Sequence, residues 1–302
     1  MLVSASYHGI SMAQVNASPG VALRIFADAW PRAMRGEPKA VHAVRVASRR
    51  LREALRLISH PKRESRKLAR ELKRLTRLLG PVRELDVSRS LVAALAGTVP
   101  DLAAASERVD VRLLEVATAR RQRLAKRMAD VDEKALIERV GHILRRSRSG
   151  GRLDAEDRRR LSDRIAARAK DVAEAADSAG ALYAPEALHL VRIRTKKLRY
   201  ALEVGRVARL RGAAQAATRL RRYQDLLGEL HDYQVLSSQA ARLQSRLPLQ
   251  DDDIGAISDL LAYVETRCRK LHADFVSRRA ALVSATRQLE ESFSERSQSP
   301  KA

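Results

Sequence analysis

Cysteine occurs once in 302 residues, at position 268. A lone thiol closes no internal disulfide, so the fold must rest on its core. Cys268 reads as a small core residue in a reducing compartment. Aromatic residues are 3% of the chain: one Trp, three Phe and six Tyr. That scarcity argues against sheet, which favours aromatic and β-branched residues, and against the stacking platforms of single-strand nucleic-acid binders. Glycine (13) and proline (9) fall well short of the roughly 12% the pair usually contributes, so long helices are expected. No apolar run of about 18 residues occurs, and no transmembrane helix is expected. The opening MLVSASYHGISMAQVNASPG lacks the basic-then-apolar pattern of a signal peptide. The cytoplasm follows as the expected compartment. Neither G-x-x-x-x-G-K-[ST] nor HExxH is found, and the basic segments hold no acid cluster for Mg²⁺. The expectation is a protein that is not an enzyme, with no cofactor and no metal site.

Acid is also the scarce sign. There are 36 Asp and Glu against 59 Lys and Arg, a net charge of +23. Solubility of a small domain asks for a magnitude of only about 2–8. A field of this size self-repels and attracts anions. The hydrophobic share of 45% supplies a core.

Breakers divide the chain into an all-helical plan. Residues 1–18 read as a leader. Ser18-Pro19 opens a helix ending near Gly36, and Glu37-Pro38 opens a second that stops near His60-Pro61. A third runs from Lys62 to Leu79 and stops hard at Gly80-Pro81. Others are expected to Ala96, over Asp101–Arg127 and over Asp132–Arg146. Residues 147–157, SRSGGRLDAED, form the best linker. Beyond it, helices are expected over Asp154–Ala179, Pro185–Arg206, Arg211–Leu227, Asp232–Leu247 and Ile254–Ser292. The expected domains are a first bundle over 19–146, a second over 158–292 and a polar tail over 293–302.

The plan repeats. HAVRVASRRLR (42–52) stands against HLVRIRTKKLR (189–199), 147 residues on. LLGPVRELDV (78–87) stands against LLGELHDYQV (226–235), 148 residues on. Two blocks agreeing within one residue indicate a duplicated helical unit.

Each repeated helix carries a cationic stripe. His42, Arg45, Arg49 and Arg52 lie at offsets 0, 3, 7 and 10, on one helical face, and Arg56 extends them. His189, Arg192, Lys196 and Arg199 repeat the spacing, with Tyr200 alongside. Val44, Leu51, Leu55 and Ile58 fall on another face, suited to a core. Like charges at this spacing cost what opposite charges gain, about 0.2–0.5 kcal/mol a pair. No acid interrupts either stripe until Glu53 and Glu203. Either acids on neighbouring helices neutralise the stripes, or an external anion does. The third helix adds Arg63, Arg66, Arg70, Lys73 and Arg77, diluted by Glu64 and Glu71; Lys73-Arg74 aligns with Arg221-Arg222. Arginine favours phosphate, because its planar fork pairs with two oxygens. The LLG blocks end in Glu84 and Asp86, and in Asp232. Beside so many arginines these acids read as groups that orient cations or cap helices.

VHAVRVASRRLREALRL, LHLVRIRTKKLRYALEV and YQDLLGELHDYQVL resemble the CHAD family, the conserved histidine α-helical domain. The resemblance spans about residues 19 to 290. It implies two helical bundles related by a pseudo-twofold repeat, with basic helices lining a central groove or channel. It also implies binding of inorganic polyphosphate and association with polyphosphate granules. The family motif places His42, Arg45, Arg49, Arg50 and Arg52, then His189, Arg192, Lys196, Lys197 and Arg199, on that ligand. The stripes add Arg56, Lys73, Arg74, Arg77, Arg194, Tyr200, Arg221 and Arg222 as candidate contacts. The first LLG block departs from the pattern at Pro81 and Glu84, and Gln234 stands opposite Asp86. The ExExK strand of a fused triphosphatase is not found, so a stand-alone binding domain is expected. The competing reading is a nucleic-acid binder using the same stripes, since phosphate contacts dominate both cases.

Overall fold

Ala-, Leu- and Arg-rich segments separated by few breakers give a chain of helices and, among the described residues, no strand. The computed structural model describes residues 19–57, 63–146, 155–246 and 251–298. The elements are α1 (Pro19–Met34), α2 (Pro38–Leu57), α3 (Arg63–Leu78), α4 (Gly80–Thr98), a 3-10 turn (Pro100–Leu102), α5 (Ala103–Ala129), α6 (Glu133–Arg146), α7 (Ala155–Ser178), α8 (Pro185–Val207), α9 (Ala213–Arg246) and α10 (Asp251–Gln298). The expected leader (1–18), Ile58, the stop at His60-Pro61, residues 147–154 of the linker and residues 299–302 lie outside the described residues.

Two large buried apolar clusters hold most of the helices, with a small third at Leu102, Ala105 and Ala256. The first joins α1, α2, α3 and α6, with Phe26 and Trp30 in tilted contact at 5.3 Å and Leu51, Leu68 and Val140 buried among them. The second joins α7, α8, α9 and α10 around Ile165, Leu202, Leu236 and Phe275. The boundary between cores does not follow the linker at 147–157. Leu85, Val92 and Leu95 of α4 and Val109, Leu113 and Ala117 of α5 belong to the second cluster. Val82, Leu124 and Met128, at the other ends of the same helices, belong to the first. The α4–α5 pair thus ties the two bundles into one packed body, because each helix is long enough to present apolar residues at both ends.

Three helix limits differ from expectation. The hard stop at Gly80-Pro81 is a one-residue break: Leu79 keeps right-handed helical angles, φ −73° and ψ −15°, and α4 starts at once. Pro81 removes an N–H donor but tolerates the first turn of a new helix. The expected break between Leu227 and Asp232 does not occur, and α9 runs through it unbroken. There Glu229 stands where the first block has Pro81. Every N–H is kept, and a lone glycine costs only about 1 kcal/mol in a helix. Finally, α10 continues through Gln298, into the segment expected as a polar tail. Phe293 explains this: its ring is 1% exposed and anchors the last turns in the second core.

Candidate functional site

The LLG segments pass where the two motif helices meet. α2 contacts both α8 and α4, and α9 contacts the same two helices. Each motif helix turns its apolar stripe inward: Val44, Leu51 and Leu55 on α2, and Leu188, Val191, Leu198 and Leu202 on α8 are buried. The amphipathic pattern then forces the basic stripes toward the junction. Arg45 and Arg49 of α2 lie within electrostatic reach of Arg192, and Arg49 also of Lys196. Arg83 of α4 faces His42 and Asp232. The carboxylates facing this group are Glu84 and Asp232. Among the described residues, Arg45, Arg49, Arg192 and Lys196 therefore outnumber them, four cations to two acids.

Burial and crowding weaken the hold of Arg45, Arg192 and Lys196 on their protons. Burial, then Arg49, brings Arg45 down to about 10. Burial lowers Arg192 although Asp232 opposes it. Burial, then Arg192 and Arg49, holds Lys196 well below the usual lysine range. The imidazoles are pushed to the neutral form. Burial, then Arg83, takes His42 down to about 3. Burial, then Arg192, takes His231 down to about 3. Burial outweighs even the neighbouring cations at Asp232 and raises its carboxyl. The Nε donors of Arg52, Arg192 and Arg199 are buried and, among the described residues, donate no hydrogen bond. Buried donors without acceptors are costly and uncommon.

The structure sorts the sequence candidates. His42, Arg45, Arg49, His189, Arg192 and Lys196 come together at the junction. Tyr200 adjoins them, near Arg45 and Arg192, with the Arg199 guanidinium 5.4 Å from its ring. Arg52 sits further along the stripe, lowered by burial and then by Arg56, which is itself exposed. Others are engaged elsewhere. Arg50 and Arg199 clasp Glu203 at 3.7 and 3.2 Å. Arg194 turns to α7, donating to the Asp171 carbonyl at 2.7 Å with the Asp171 and Glu174 carboxylates at 3.8 and 3.7 Å. Lys197 is exposed, as are Lys73, Arg74 and Arg77 on α3. Arg221 pairs with Asp225 at 3.8 Å, and Arg222 donates to the Tyr223 hydroxyl at 3.0 Å. Positions one or two residues off the offset series, such as 50 and 194, point around the helix to a different neighbour.

Neutralisation by neighbouring acids therefore holds for the C-terminal end of the stripes and not for the junction. Glu53 completes it there: it is buried against Arg168 of α7, which also donates to the Lys197 carbonyl at 2.8 Å. Arg45 has a second role. Its guanidinium donates to the Thr76 carbonyl near the end of α3. The break before Pro81 leaves such carbonyls open, and a helix C-terminus favours a cation. Of the LLG acids, Asp86 pairs with Arg121 of α5, outside the motif helices.

Two site residues were missed. Arg83 and His231 occupy the same place in the two LLG blocks, and both reach the junction. That alignment was the available signal. Both lie outside the basic motif of residues 42–52 and 189–199, in segments whose sequence signal is the LLG turn. Among the described residues no group of three or more His, Cys, Asp or Glu could hold a metal, and no helix is long and apolar enough to cross a membrane.

The CHAD domain family matches residues 21–241, the span that contains both motif helices and both LLG segments. The chain belongs to the CHAD family. The crystal structure of the CHAD domain from the plant Ricinus communis shares the fold, with a TM-score of 0.67 and 23% identity over 89% of this chain and 90% of that one. No curated protein matches the sequence. The CHAD match covers α1 through most of α9 and stops short of α10, so the helix that completes the second core lies beyond it.

Proposed function

We propose that this CHAD protein binds inorganic polyphosphate at the junction of α2, α4, α8 and α9. The observation that carries the proposal is the excess of half-buried cations there, Arg45, Arg49, Arg192 and Lys196 against the carboxylates of Glu84 and Asp232 among the described residues, with buried guanidinium Nε donors close by. A phosphate polymer has one charge per repeating unit and no base to stack. It asks for cations and hydrogen-bond donors, which Arg45, Arg49, Arg83, Arg192 and Lys196 supply. Charge-assisted hydrogen bonds of this kind are worth about 1.5–3 kcal/mol each. Nucleic acid offers the same phosphates but gains from aromatic platforms, and among the described residues a single tyrosine ring, that of Tyr200, stands near Arg45 and Arg192. Binding without turnover, in the cytoplasm and at polyphosphate granules, follows from this reading.

Competition of long-chain polyphosphate against duplex DNA at fixed salt tests it. Polyphosphate should displace DNA, and Arg49→Ala with Arg192→Ala should abolish that preference. DNA winning the competition would favour the nucleic-acid reading. Orthophosphate release with Mg²⁺ should stay at the blank.

A further inference from the structure

One contact at the junction is unlike the rest. His189 of α8 and His231 of α9 bring their Nδ1 atoms to 3.4 Å, with ring centroids 4.9 Å apart and planes tilted by 39°. At that distance two neutral imidazoles share one hydrogen: one Nδ1–H donates and the other Nδ1 accepts. The donor ring is then left with an unprotonated Nε2.

We infer that this pair takes up one proton when a polyphosphate occupies the site, so that anion and proton bind together. The inference rests on the polyphosphate reading above and adds its regulation. The proton adds to the Nε2 lone pair of the donor ring. The proton leaves a buffer acid or hydronium ion, whose bond to hydrogen breaks, and the product is an imidazolium whose Nδ1–H bond to its partner becomes charge-assisted and stronger. That ring also gains an N–H donor at Nε2.

The surroundings explain why the pair is neutral without the ligand. Arg192 and Lys196 from α8 face both rings, and Arg45 from α2 faces His231. From α4, Arg83 faces neighbouring Asp232, and Glu84 faces Arg45 and Arg192. Within α9, Asp232 follows His231 directly. Cations predominate, so a further positive charge is unfavourable, and burial opposes it as well. Each phosphate that enters adds a negative charge and reverses the local field. Linkage then requires the affinity to rise on acidification, by up to about tenfold per pH unit when a full proton is taken up.

Isothermal titration of the full chain with long-chain polyphosphate, near about pH 6.5, in two buffers of different ionisation enthalpy, counts the protons. Interior phosphates of a long chain do not titrate there, so protons come to the protein. The expected result is net uptake, up to about one proton per site, that is lost in both His189→Gln and His231→Gln. Ring ¹⁵N spectra of the unmodified protein should show one new imidazolium at saturation, a readout that needs no variant to fold. Tight binding with no proton uptake would overturn the inference and leave the polyphosphate site standing. Undiminished uptake in both variants would also overturn it, moving the proton to His42, Lys196 or Asp232. Absence of any binding would remove the polyphosphate reading, and this inference with it.

Discussion

Replacing Glu53 with Ala probes the contact that couples the motif helices to α7. Glu53 and its partner Arg168 are 4% and 7% exposed. Without Glu53, the Arg168 guanidinium would stay buried beside Arg164 and Arg56, left with the Lys197 carbonyl at 2.8 Å as its acceptor among the described residues. Removing one partner of a buried pair costs about 3–5 kcal/mol, because the charge left behind is not compensated. At roughly 2 °C per kcal/mol for a chain of this size, the thermal midpoint should fall by about 6–10 °C. Helical circular dichroism during heating measures it. The double variant Glu53→Leu with Arg168→Met should recover most of the loss, since apolar residues of similar volume commonly replace buried pairs without cost. A single variant melting within about 1 kcal/mol of the parent would refute the argument. A double variant as unstable as the single one would assign the effect to packing instead of charge.

Arg49→Ala and Arg192→Ala should each weaken polyphosphate binding by roughly 10- to 150-fold while the thermal midpoint holds or rises, because like charges are relieved. Arg194→Ala and Arg221→Ala, whose partners lie on α7 and within α9, should change affinity by no more than about fivefold; titration of all four decides between the full stripe and the junction. Affinity should fall linearly on a log–log plot against salt, with a shallower slope in the Arg49 and Arg192 variants. Stability without ligand should fall on acidification: His42 and His231 are lowered from 6.5 to about 3, so their contribution is present above the unfolded value and lost as pH drops through that window, at about 1.4 kcal/mol per pH unit for each. A thermal midpoint unchanged across the window would contradict the burial of both rings.

The sequence alone was enough for the all-helical class, the family, most helix limits and the two basic stripes. Those features are local. Breakers act on their own residues, as Pro19, Pro38 and Pro185 do at the helix starts, and amphipathic spacing is readable along a single helix. The duplicated LLG block was legible too, yet its two copies behave differently. Pro81 interrupts one helix, while Glu229 lets the other run on.

Tertiary structure decided which charges meet. Arg49 and Arg50 are neighbours in sequence, but one faces Arg192 across the junction and the other closes on Glu203. Periodicity fixes the angle of a side chain around its own helix and says nothing about what stands opposite. The same holds for Arg168, whose partner is 115 residues away, and for the sharing of α4 and α5 between both cores. Glu53 and Glu203 looked like the ends of the stripes. Only packing shows that they are the counter-charges for one end, and that the junction at the other end keeps its excess of cations.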